Sequence, residues 1–334
     1  MKVCIIGFGG IARSHTASYF ATMQEGKEQT LVGICDIDPK QFDRIVSINN
    51  SSDNGIDLDQ IHKYTDWEEM LDTEKPDLVD ICLPTYLHKE YAVNVMKKGY
   101  HVQCEKPMAL TSEECKEMLQ VAKETGRQLL IGQVVRFTPA YQELKRMVVD
   151  GRYGKVRSAV FNRLSVLPLW GFENWFPDVK RSGGVPLDLH LHDVDIIRYI
   201  FGDPEGVSAS IVSAPECERI SVHSLFHYPN MAITAIGEFA RAKTAPFVAS
   251  YDVNFEKATV VCVGSKVTIY PDEGEVTEHS YADITPMRQE ELYYAGVLNG
   301  KPNTVLLPED AARSVELVEK IVESAANGGR KVLL

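Results

Sequence analysis

The 334-residue chain is long enough for two domains with cores of their own, and its 44% hydrophobic and 25% charged residues are typical of a globular protein. A formal net charge of −12 argues against binding to nucleic acid or to an anionic membrane surface, because both require basic patches. Neutral or cationic small molecules suit such a chain better as partners.

No apolar run approaches the roughly 18 residues that a membrane-spanning helix needs. The first strand is expected to begin at Lys2, which leaves no room for a signal peptide, so the expected location is the cytoplasm. The seven cysteines show no CxxC pairing, and several flank strand-like apolar runs, where cysteine behaves as a small buried hydrophobe. Neither a disulfide framework nor a zinc site is therefore expected.

In the first part of the chain, short apolar runs alternate with longer helical patterns. The apolar runs are KVCII, TLVGICD, DLVDICLP, HVQCEKP and LLIGQ, and helical patterns cover 10–23, 86–98 and 111–125. Alternation of strand and helix is typical of a parallel sheet with helices on both faces. Residues 1–130 are therefore predicted to form a doubly wound α/β domain.

Beyond residue 133 the elements follow one another in blocks. These are helices at 139–149 and 186–201, β-rich runs across 205–280, and helices near 286–299 and 308–326. Runs of strands joined by short turns are typical of an antiparallel sheet. Residues 131–334 are therefore predicted to form an α+β domain with an open, mostly antiparallel sheet.

A glycine-rich turn joins the first strand to the first helix, with the spacing Gly7-x-Gly9-x-x-Ala12. Gly7 permits the tight turn, Gly9 lets the backbone approach a pyrophosphate, and the small Ala12 lets the helix pack close to the strand. Gly10 and Ile11 open the helix, whose N-terminus offers free N–H groups to phosphates. The context favours a dinucleotide site, although a doubly wound sheet with incidental glycines is the alternative.

Asp36 stands at the end of the second strand, where a carboxylate accepts hydrogen bonds from the adenosine ribose and repels a 2′-phosphate. Ile37 follows where a protein that binds the 2′-phosphate would need a basic residue nearby. The pair predicts NAD as the cofactor, with NADP less favoured.

The segment CEKPMALT ends the fifth predicted strand. Ligands of open α/β sheets bind beyond the carboxyl ends of strands, so Glu105, Lys106 and Pro107 fall where chemistry would occur. Pro107 restricts Lys106 to extended geometry and so directs its side chain reproducibly. The alternative is an ordinary surface lysine in a loop.

A second candidate lies in GGVPLDLHLHDVDIIRYI, where Asp188 and His192 are four residues apart on one helix face. A histidine beside a carboxylate is suited to take a proton from a hydroxyl group. Residue patterns leave two other interpretations open, a plain capped helix and a metal site. The metal site would use Asp188, His190, His192, Asp193 and Asp195.

Together these motifs resemble the Gfo/Idh/MocA oxidoreductase family, and the resemblance covers nearly the whole chain. It includes the glycine turn, LPTYLHKEYA, CEKPMALT, VVRFTPAYQELKRMV, SGGVPLDLHLHDVDI and LPEDAARSVELVEKIVESA. It implies an NAD(P)-dependent dehydrogenase acting on a CH–OH group of a sugar, inositol or related polyol. It also implies an N-terminal Rossmann domain followed by a substrate domain whose open sheet is often used in oligomer contacts, so a homodimer or homotetramer is expected.

The resemblance assigns the family's catalytic lysine to Lys106, its aspartate to Asp188 and its histidine to His192. In the matching mechanism His192 takes the hydroxyl proton, Lys106 hydrogen-bonds the same oxygen, and Asp188 holds a neighbouring hydroxyl or positions the base. The same match implies further residues at the nicotinamide and substrate cleft, namely Pro84, His88, Glu105 and Arg136.

The sequence departs from the family pattern at two positions. His190 stands where the family usually has glycine; on a helix it is either buried or intrudes near the cofactor. Tyr86 stands where asparagine is frequent, which puts one cofactor contact in doubt.

The loop 164–182 carries aromatic side chains that could stack on a sugar or pack against their own domain. They are Trp170, Phe172, Trp175 and Phe176, of which Trp175 is the predicted substrate contact.

Alternative functions use the same fold. A glycosidase can use NAD for transient oxidation that assists elimination of a glycosidic bond, with no net redox change. A non-enzymatic NAD-binding sensor needs none of Lys106, Asp188 and His192, so their presence argues against it. A metal-dependent hydrolase would not need a dinucleotide site at all.

Overall fold

A computed structural model describes residues 1–24, 29–44, 47–48, 51–52, 58–169, 171–214 and 219–334. The chain forms two compact units. The first comprises Met1–Val134, Trp170–Trp175 and Pro286–Ala312, and the second comprises Val135–Leu169, Phe176–Thr285 and Arg313–Leu334. Each unit is thus built from three separate segments of the chain, whereas the predicted domains, 1–130 and 131–334, were each one continuous segment.

Strands and helices alternate through the first part of the chain. The strands are β1 (Lys2–Ile6), β2 (Thr30–Cys35), β3 (Ser47–Ile48), β4 (Ser51–Ser52), β5 (His62–Tyr64), β6 (Leu78–Ile81), β7 (His101–Glu105) and β8 (Leu129–Gly132). The helices are α1 (Gly10–Gln24), α2 (Trp67–Glu74), α3 (Thr85–Lys97) and α4 (Ser112–Thr125).

Six of these strands form one parallel sheet in the order β5-β2-β1-β6-β7-β8. Strands β6, β7 and β8 are almost wholly buried, as expected for apolar strands covered on both faces. The strand order reverses between β1 and β6. Doubly wound sheets bind their ligands at such a reversal, beyond the carboxyl ends of the strands.

Helix α4 shows how local sequence sets the ends of an element. The Thr111 side chain accepts a hydrogen bond from the backbone N–H of Glu114 at 3.2 Å and caps the first turn. Gly126, at φ +66°, adopts the left-handed conformation that ends the helix. The helix predicted at 111–125 is therefore confirmed.

The remaining elements carry the second sheet and the later helices. The helices are α5 (Pro139–Asp150), α6 (Val179–Ser182), α7 (Leu191–Phe201), α8 (Pro286–Leu298) and α9 (Pro308–Ala326), and a π-helical turn covers Pro186–His190. The strands are β9 (Val156–Ser165), β10 (Gly206–Ala214), β11 (Arg219–His227), β12 (Ala232–Phe239), β13 (Val248–Phe255), β14 (Ala258–Val263), β15 (Lys266–Pro271), β16 (Thr277–Ser280) and β17 (Val332–Leu333). None of the helices in the described part of the chain has both the length and the apolar character to cross a membrane.

The second unit is built on a nine-stranded sheet in the order β16-β15-β14-β13-β9-β12-β11-β10-β17. Strands β9 and β12 run parallel, and every other neighbouring pair is antiparallel. Buried and accessible residues alternate along β12, because one face of the sheet packs against the π-helical turn and α7. The predicted fold class, a doubly wound parallel sheet followed by an open and mostly antiparallel one, is confirmed.

Candidate active site

The glycine turn has the geometry of a phosphate cradle. Gly7 has φ +88°, and a Cβ atom there would lie 2.8 Å from the carbonyl oxygen of Cys82, so only glycine fits. At Gly9 no described atom lies within 4 Å of such a Cβ, which leaves the backbone open to a ligand. Helix α1 begins at Gly10, and Ala12 in its first turn is fully buried. The turn therefore fits the pyrophosphate of a dinucleotide.

Asp36 is held in place by the turn itself. Its Oδ2 accepts a hydrogen bond from the backbone N–H of Phe8 at 2.8 Å, and its Oδ1 accepts one from Asp38 at 2.9 Å. Partial burial raises its pKa, an effect that these two hydrogen bonds oppose. Ile37 beside it is 72% exposed. The carboxylate is thus fixed at the end of β2, where it fits a ribose hydroxyl.

Lys106 follows β7 directly and is half-buried. Its backbone N–H donates to Oε2 of Glu105 at 3.0 Å, and the Lys106–Pro107 peptide bond is cis. The lysine therefore stands at the carboxyl end of a central strand of the parallel sheet, as predicted.

His88 joins two loops of the first unit. Its Nδ1 lies 2.7 Å from the carbonyl oxygen of Pro107, and its Nε2 lies 2.7 Å from that of Leu83. The ring is 1% exposed, and this burial lowers its pKa, an effect that the two carbonyl contacts oppose without cancelling it. Both nitrogens are thus engaged by protein carbonyls. His88 ties the loop before Pro84, the N-cap of α3, to the loop after Lys106, and its predicted place at the cofactor stays a prediction.

Asp188 and His192 lie four residues apart on consecutive helical turns of the second unit. Asp188 is 7% exposed in the π-helical turn, and His192 is half-buried in the first turn of α7. Side chains at this spacing share a face of the helix. Their predicted catalytic roles stay predictions.

His190 is a neutral core residue. It is fully buried, and its Nε2 lies 2.9 Å from the hydroxyl of Ser224 on β11. Burial, with a smaller contribution from the charge of Arg163, lowers the pKa of His190 to about 3. Of the two expectations for this departure from the family pattern, the structure supports burial.

Two of the three carboxylates in the segment 188–195 are engaged in ion pairs. Asp193 accepts a hydrogen bond from Nε of Arg163 at 2.9 Å, and Asp195 accepts one from Nε of Arg136 at 2.7 Å. The described residues form no metal-type cluster in this segment. The metal-site interpretation of residues 188–195 therefore does not fit the geometry.

Arg136 is bonded to Asp195 within the second unit. It is 2% exposed, and its Nη2 adds a second bond to Asp195 at 2.7 Å. The hydroxyl of Ser314 donates to the same carboxylate at 2.8 Å, and the guanidinium lies 4.8 Å from the centre of the Tyr199 ring. Its predicted contact with substrate stays a prediction.

The aromatic loop is described in part. Phe172 is 38% exposed, and Trp175 and Phe176 are half-buried. Trp170 lies outside the described residues. Tyr86, the second departure from the family pattern, is half-buried near the start of α3.

A buried group of ionisable side chains, which was not predicted from the sequence, lies next to Lys106 in the chain of contacts from α1. We name it the His15 cluster; its members are His15, Tyr19, Asp80, Glu105, Glu290 and Glu291, all of them buried in the first unit. One signal was available, because His15 and Tyr19 stand four residues apart on α1 and so present polar atoms on one helix face. That spacing does not indicate that the two side chains meet carboxylates on β6 and α8.

Two members of the cluster form a group with the composition of a metal site together with Cys82, since His15, Asp80 and Cys82 bring ligand-type atoms within 4.8 Å of one another. However, Nδ1 of His15 lies 2.8 Å from Asp80 Oδ2, and its Nε2 lies 2.9 Å from Glu105 Oε1. Both ring nitrogens of His15 are thus already engaged at hydrogen-bond distance by protein carboxylates, which leaves neither nitrogen free for a metal ion. The group does not fit a metal ion.

Two family models match the chain. The oxidoreductase family with the NAD-binding Rossmann fold matches residues 1–133, and the GFO/IDH/MocA C-terminal domain matches residues 141–276. The chain belongs to the Gfo/Idh/MocA family of oxidoreductases. The predicted resemblance is confirmed, and with it the assignment of the first sheet to an NAD-binding Rossmann fold.

Several curated proteins are similar to this chain in sequence. D-glucoside 3-dehydrogenase of Escherichia coli (strain K12) is 32% identical over 208 residues, which cover 61% of this chain and 55% of the relative. scyllo-Inositol 2-dehydrogenase (NAD(+)) of Bacillus subtilis (strain 168) is 31% identical over 194 residues, 56% of this chain and 54% of the relative. The chain thus spans about half the length of the curated relatives it matches.

Solved Gfo/Idh/MocA structures share the whole fold. Levoglucosan dehydrogenase in complex with NADH and levoglucosan superposes with a TM-score of 0.83 at 18% identity, over 100% of this chain and 99% of that chain. The WlbA dehydrogenase from Bordetella pertussis, in complex with NADH and UDP-GlcNAcA, gives 0.81 at 21% identity, over 100% and 97%. At these identities the likeness concerns the fold alone.

Proposed function

We propose that this protein is an NAD-dependent dehydrogenase that oxidises a secondary hydroxyl of a sugar, an inositol or a glycoside. One observation carries the proposal: a lysine stands at the carboxyl end of β7, in the same parallel sheet whose β1 leads into a phosphate cradle. The names of the similar dehydrogenases of glucosides and inositols support the substrate class.

NAD is the proposed cofactor because the carboxylate of Asp36 would repel a 2′-phosphate. The residues that would hold it are those of the glycine turn and the neighbouring strand ends, namely Gly7, Gly9, Gly10, Ile11, Ala12, Asp36, Pro84, His88, Glu105 and Lys106. When bound, NAD supplies the acceptor for the hydride that leaves the substrate carbon.

Three side chains are proposed to act on the substrate. His192 takes the proton of the reacting hydroxyl group, since a neutral imidazole is a suitable general base near neutral pH. Lys106 donates a hydrogen bond to the same oxygen and stabilises the negative charge that develops there. Asp188 accepts a hydrogen bond from a neighbouring substrate hydroxyl. Arg136 and Trp175 are proposed to shape the substrate site.

The division of labour follows the predicted domains. Residues 1–130 are proposed to bind NAD, and residues 131–334 are proposed to bind substrate and to form a homodimer or homotetramer. Apolar side chains on the accessible face of the second sheet support the oligomer, since Val160 and Leu225 are 39% exposed and Val212 is 61% exposed. Free thiols at Cys4, Cys35, Cys82, Cys104, Cys115 and Cys262 support a reducing compartment such as the cytoplasm.

The test is absorbance at 340 nm after the purified protein is mixed with NAD and a panel of inositols, hexoses, amino sugars and glycosides. A sustained rise with one class supports the proposal and identifies that class as substrate. No rise with any member, combined with release of the aglycone from a glycoside, would instead establish redox-neutral glycosidic cleavage. NAD binding without turnover of any compound would establish a sensor.

A further inference from the structure

The His15 cluster connects helix α1 to the lysine loop through a chain of short contacts. His15 is fully buried on α1. Its Nε2 lies 2.9 Å from Oε1 of Glu105, and the other oxygen of that carboxylate accepts the backbone N–H of Lys106 at 3.0 Å. The histidine therefore fixes one end of a carboxylate whose other end holds the backbone of Lys106.

The opposite nitrogen of His15 is also bonded to a carboxylate. Its Nδ1 lies 2.8 Å from Oδ2 of Asp80 on β6, an oxygen that also accepts the hydroxyl of Tyr19 at 2.9 Å. A neutral imidazole has a single N–H and would turn a lone pair towards one of these acceptors. With both carboxylates ionised, the two contacts are satisfied together only when His15 carries both protons.

Asp80 and Glu105 supply the negative charge that such a cation requires. The groups facing His15 are Tyr19 from α1, Asp80 from β6, Cys82 after it, Glu105 from β7, and Glu290 and Glu291 from α8. Oε1 of Glu291 lies 3.7 Å from Nδ1 of His15. Burial would lower the pKa of His15, but Asp80 and Glu105 outweigh it and raise that pKa well above the ordinary value.

Glu105 has no freedom to change partners. Gly132 on the adjacent strand β8 has no side chain, and a Cβ there would lie 3.0 Å from Oε1 of Glu105. The carboxylate is thus enclosed between β8 and His15. Any shift of His15 would be passed to Glu105 and from there to the lysine loop.

We propose that His15 is a permanently protonated positioning residue that holds Lys106 in place through Glu105. The positioning role rests on the proposed function, because the position of Lys106 affects catalysis only if Lys106 contacts the substrate. The protonation state and the hydrogen-bond chain do not depend on that function and can be tested separately.

The protonation state can be read from 15N NMR of histidine-labelled protein between pH 6 and 9. We expect one imidazole to keep both protons throughout, and we expect its signal to shift in the Tyr19→Phe variant, which removes a bond to the same Asp80 oxygen. His190 serves as the internal reference, because it should remain neutral over the whole range. A His15 signal that is neutral at pH 8 would overturn the proposal.

The positioning role is tested with His15→Gln against Thr16→Val, a matched control whose buried hydroxyl donates only to Ala12 within the same helix. Hydrogen exchange at the Lys106 amide should rise about tenfold or more in His15→Gln and stay unchanged in the control. With a substrate in hand, kcat should fall about ten- to a hundredfold while the KM for NAD changes less than about twofold.

Different outcomes separate the two proposals. Faster exchange at the Lys106 amide with no oxidisable substrate would leave the His15 chain standing and remove the dehydrogenase. A normal kcat despite faster exchange would overturn the positioning role. If His15→Gln does not fold, the same exchange and kinetic measurements are made on Glu105→Gln, and they decide whether the positioning role holds. In that variant the amide oxygen can still accept the backbone N–H of Lys106, but the amide N–H faces the charged imidazole and repels it.

Discussion

The imidazole of His190 occupies the space that Gly237 leaves by having no side chain. A Cβ atom built on Gly237 would lie 2.8 Å from Nδ1 and 2.9 Å from Cβ of His190. The π-helical turn that carries His190 packs directly on β12, where Gly237 stands. The histidine that replaces the family's usual glycine is thus accommodated by a glycine on the facing strand.

Gly237→Ala should destabilise the protein by about 1–3 kcal/mol, because the added methyl group overpacks a site with no free volume. In a His190→Gly background the same substitution should cost much less, and the double-mutant cycle measured by denaturant unfolding gives the coupling directly. Thr234→Ala, a half-buried position on the same strand, is the control. If the effects of Gly237→Ala and His190→Gly on stability simply add, the contact between these two residues does not cause the destabilisation.

Lys106→Ala should lower kcat by about two to four orders of magnitude while the affinity for NAD stays nearly unchanged, because the lost contact is made to the reacting oxygen. The measurements are the initial rate at 340 nm and a titration with NAD. Lys116→Ala removes an exposed lysine paired with Glu113 and should behave as the wild type. Weak NAD binding with a normal turnover rate would refute the catalytic assignment.

His192→Asn should remove the acidic limb of the pH–rate profile. A base that must be neutral to accept a proton loses activity as pH falls, and asparagine does not titrate. The profile of kcat/KM from pH 5 to 9 tests this expectation, with His279→Asn, an exposed position on β16, as the control. If the limb persists in His192→Asn, another group is the base.

Asp36→Ser combined with Ile37→Arg should shift preference towards NADP by about tenfold or more, since the change removes a repulsive carboxylate and adds a cation. The variant should also lose stability, because Asp36 accepts backbone N–H groups from both Phe8 and Asp38. The ratio of kcat/KM for the two cofactors is the measurement. An unchanged ratio would contradict the role of Asp36 at the ribose.

Glu290→Gln should stabilise the protein increasingly as pH rises above about 5. Burial, reinforced by the charge of Glu105, raises the pKa of Glu290 well above its ordinary value. The folded state therefore keeps a proton that the unfolded chain releases near pH 4.3, so wild-type stability is lost as pH rises from there through the folded pKa. Glutamine has no proton to lose.

The gap between Glu290→Gln and wild type should widen by at most about 1.4 kcal/mol per pH unit and vanish near pH 4. Neither oxygen of Glu290 has a hydrogen-bond partner among the described residues, so the substitution breaks no bond there. Thermal unfolding from pH 4 to 8 measures the effect, with the exposed Glu113→Gln as control. A constant gap would mean that Glu290 is ionised in the folded protein.

The sequence predicted those features that depend on residues close to one another in the chain. Apolar runs interrupted by helical periods identified the parallel sheet, and the spacing from Gly7 to Ala12 identified the turn after β1. The helical pattern at 111–125 identified α4, because helix periodicity depends on neighbours only three or four residues away. Each of these signals lies within one element or its immediate flanks.

Features that depend on distant contacts were not predictable. The pairing of the Arg136 guanidinium with Asp195 is one such feature, because no spacing rule connects the two residues. The burial of His190 depended on a glycine in β12. Glu290 and Glu291 looked like ordinary helix-surface residues, because nothing in α8 indicated that it packs against α1.

The placement of α8 within the first unit has a consequence for how the chain is made. Translation delivers α1 and all six strands of the parallel sheet long before Glu290 and Glu291 emerge. Tyr19 and His15 of the nascent first unit therefore stay uncovered until synthesis has passed residue 291. A fragment ending near residue 130 would contain every cofactor motif and still lack part of its own core. The cofactor-binding half is contiguous as a motif, but it is not contiguous as a folding unit.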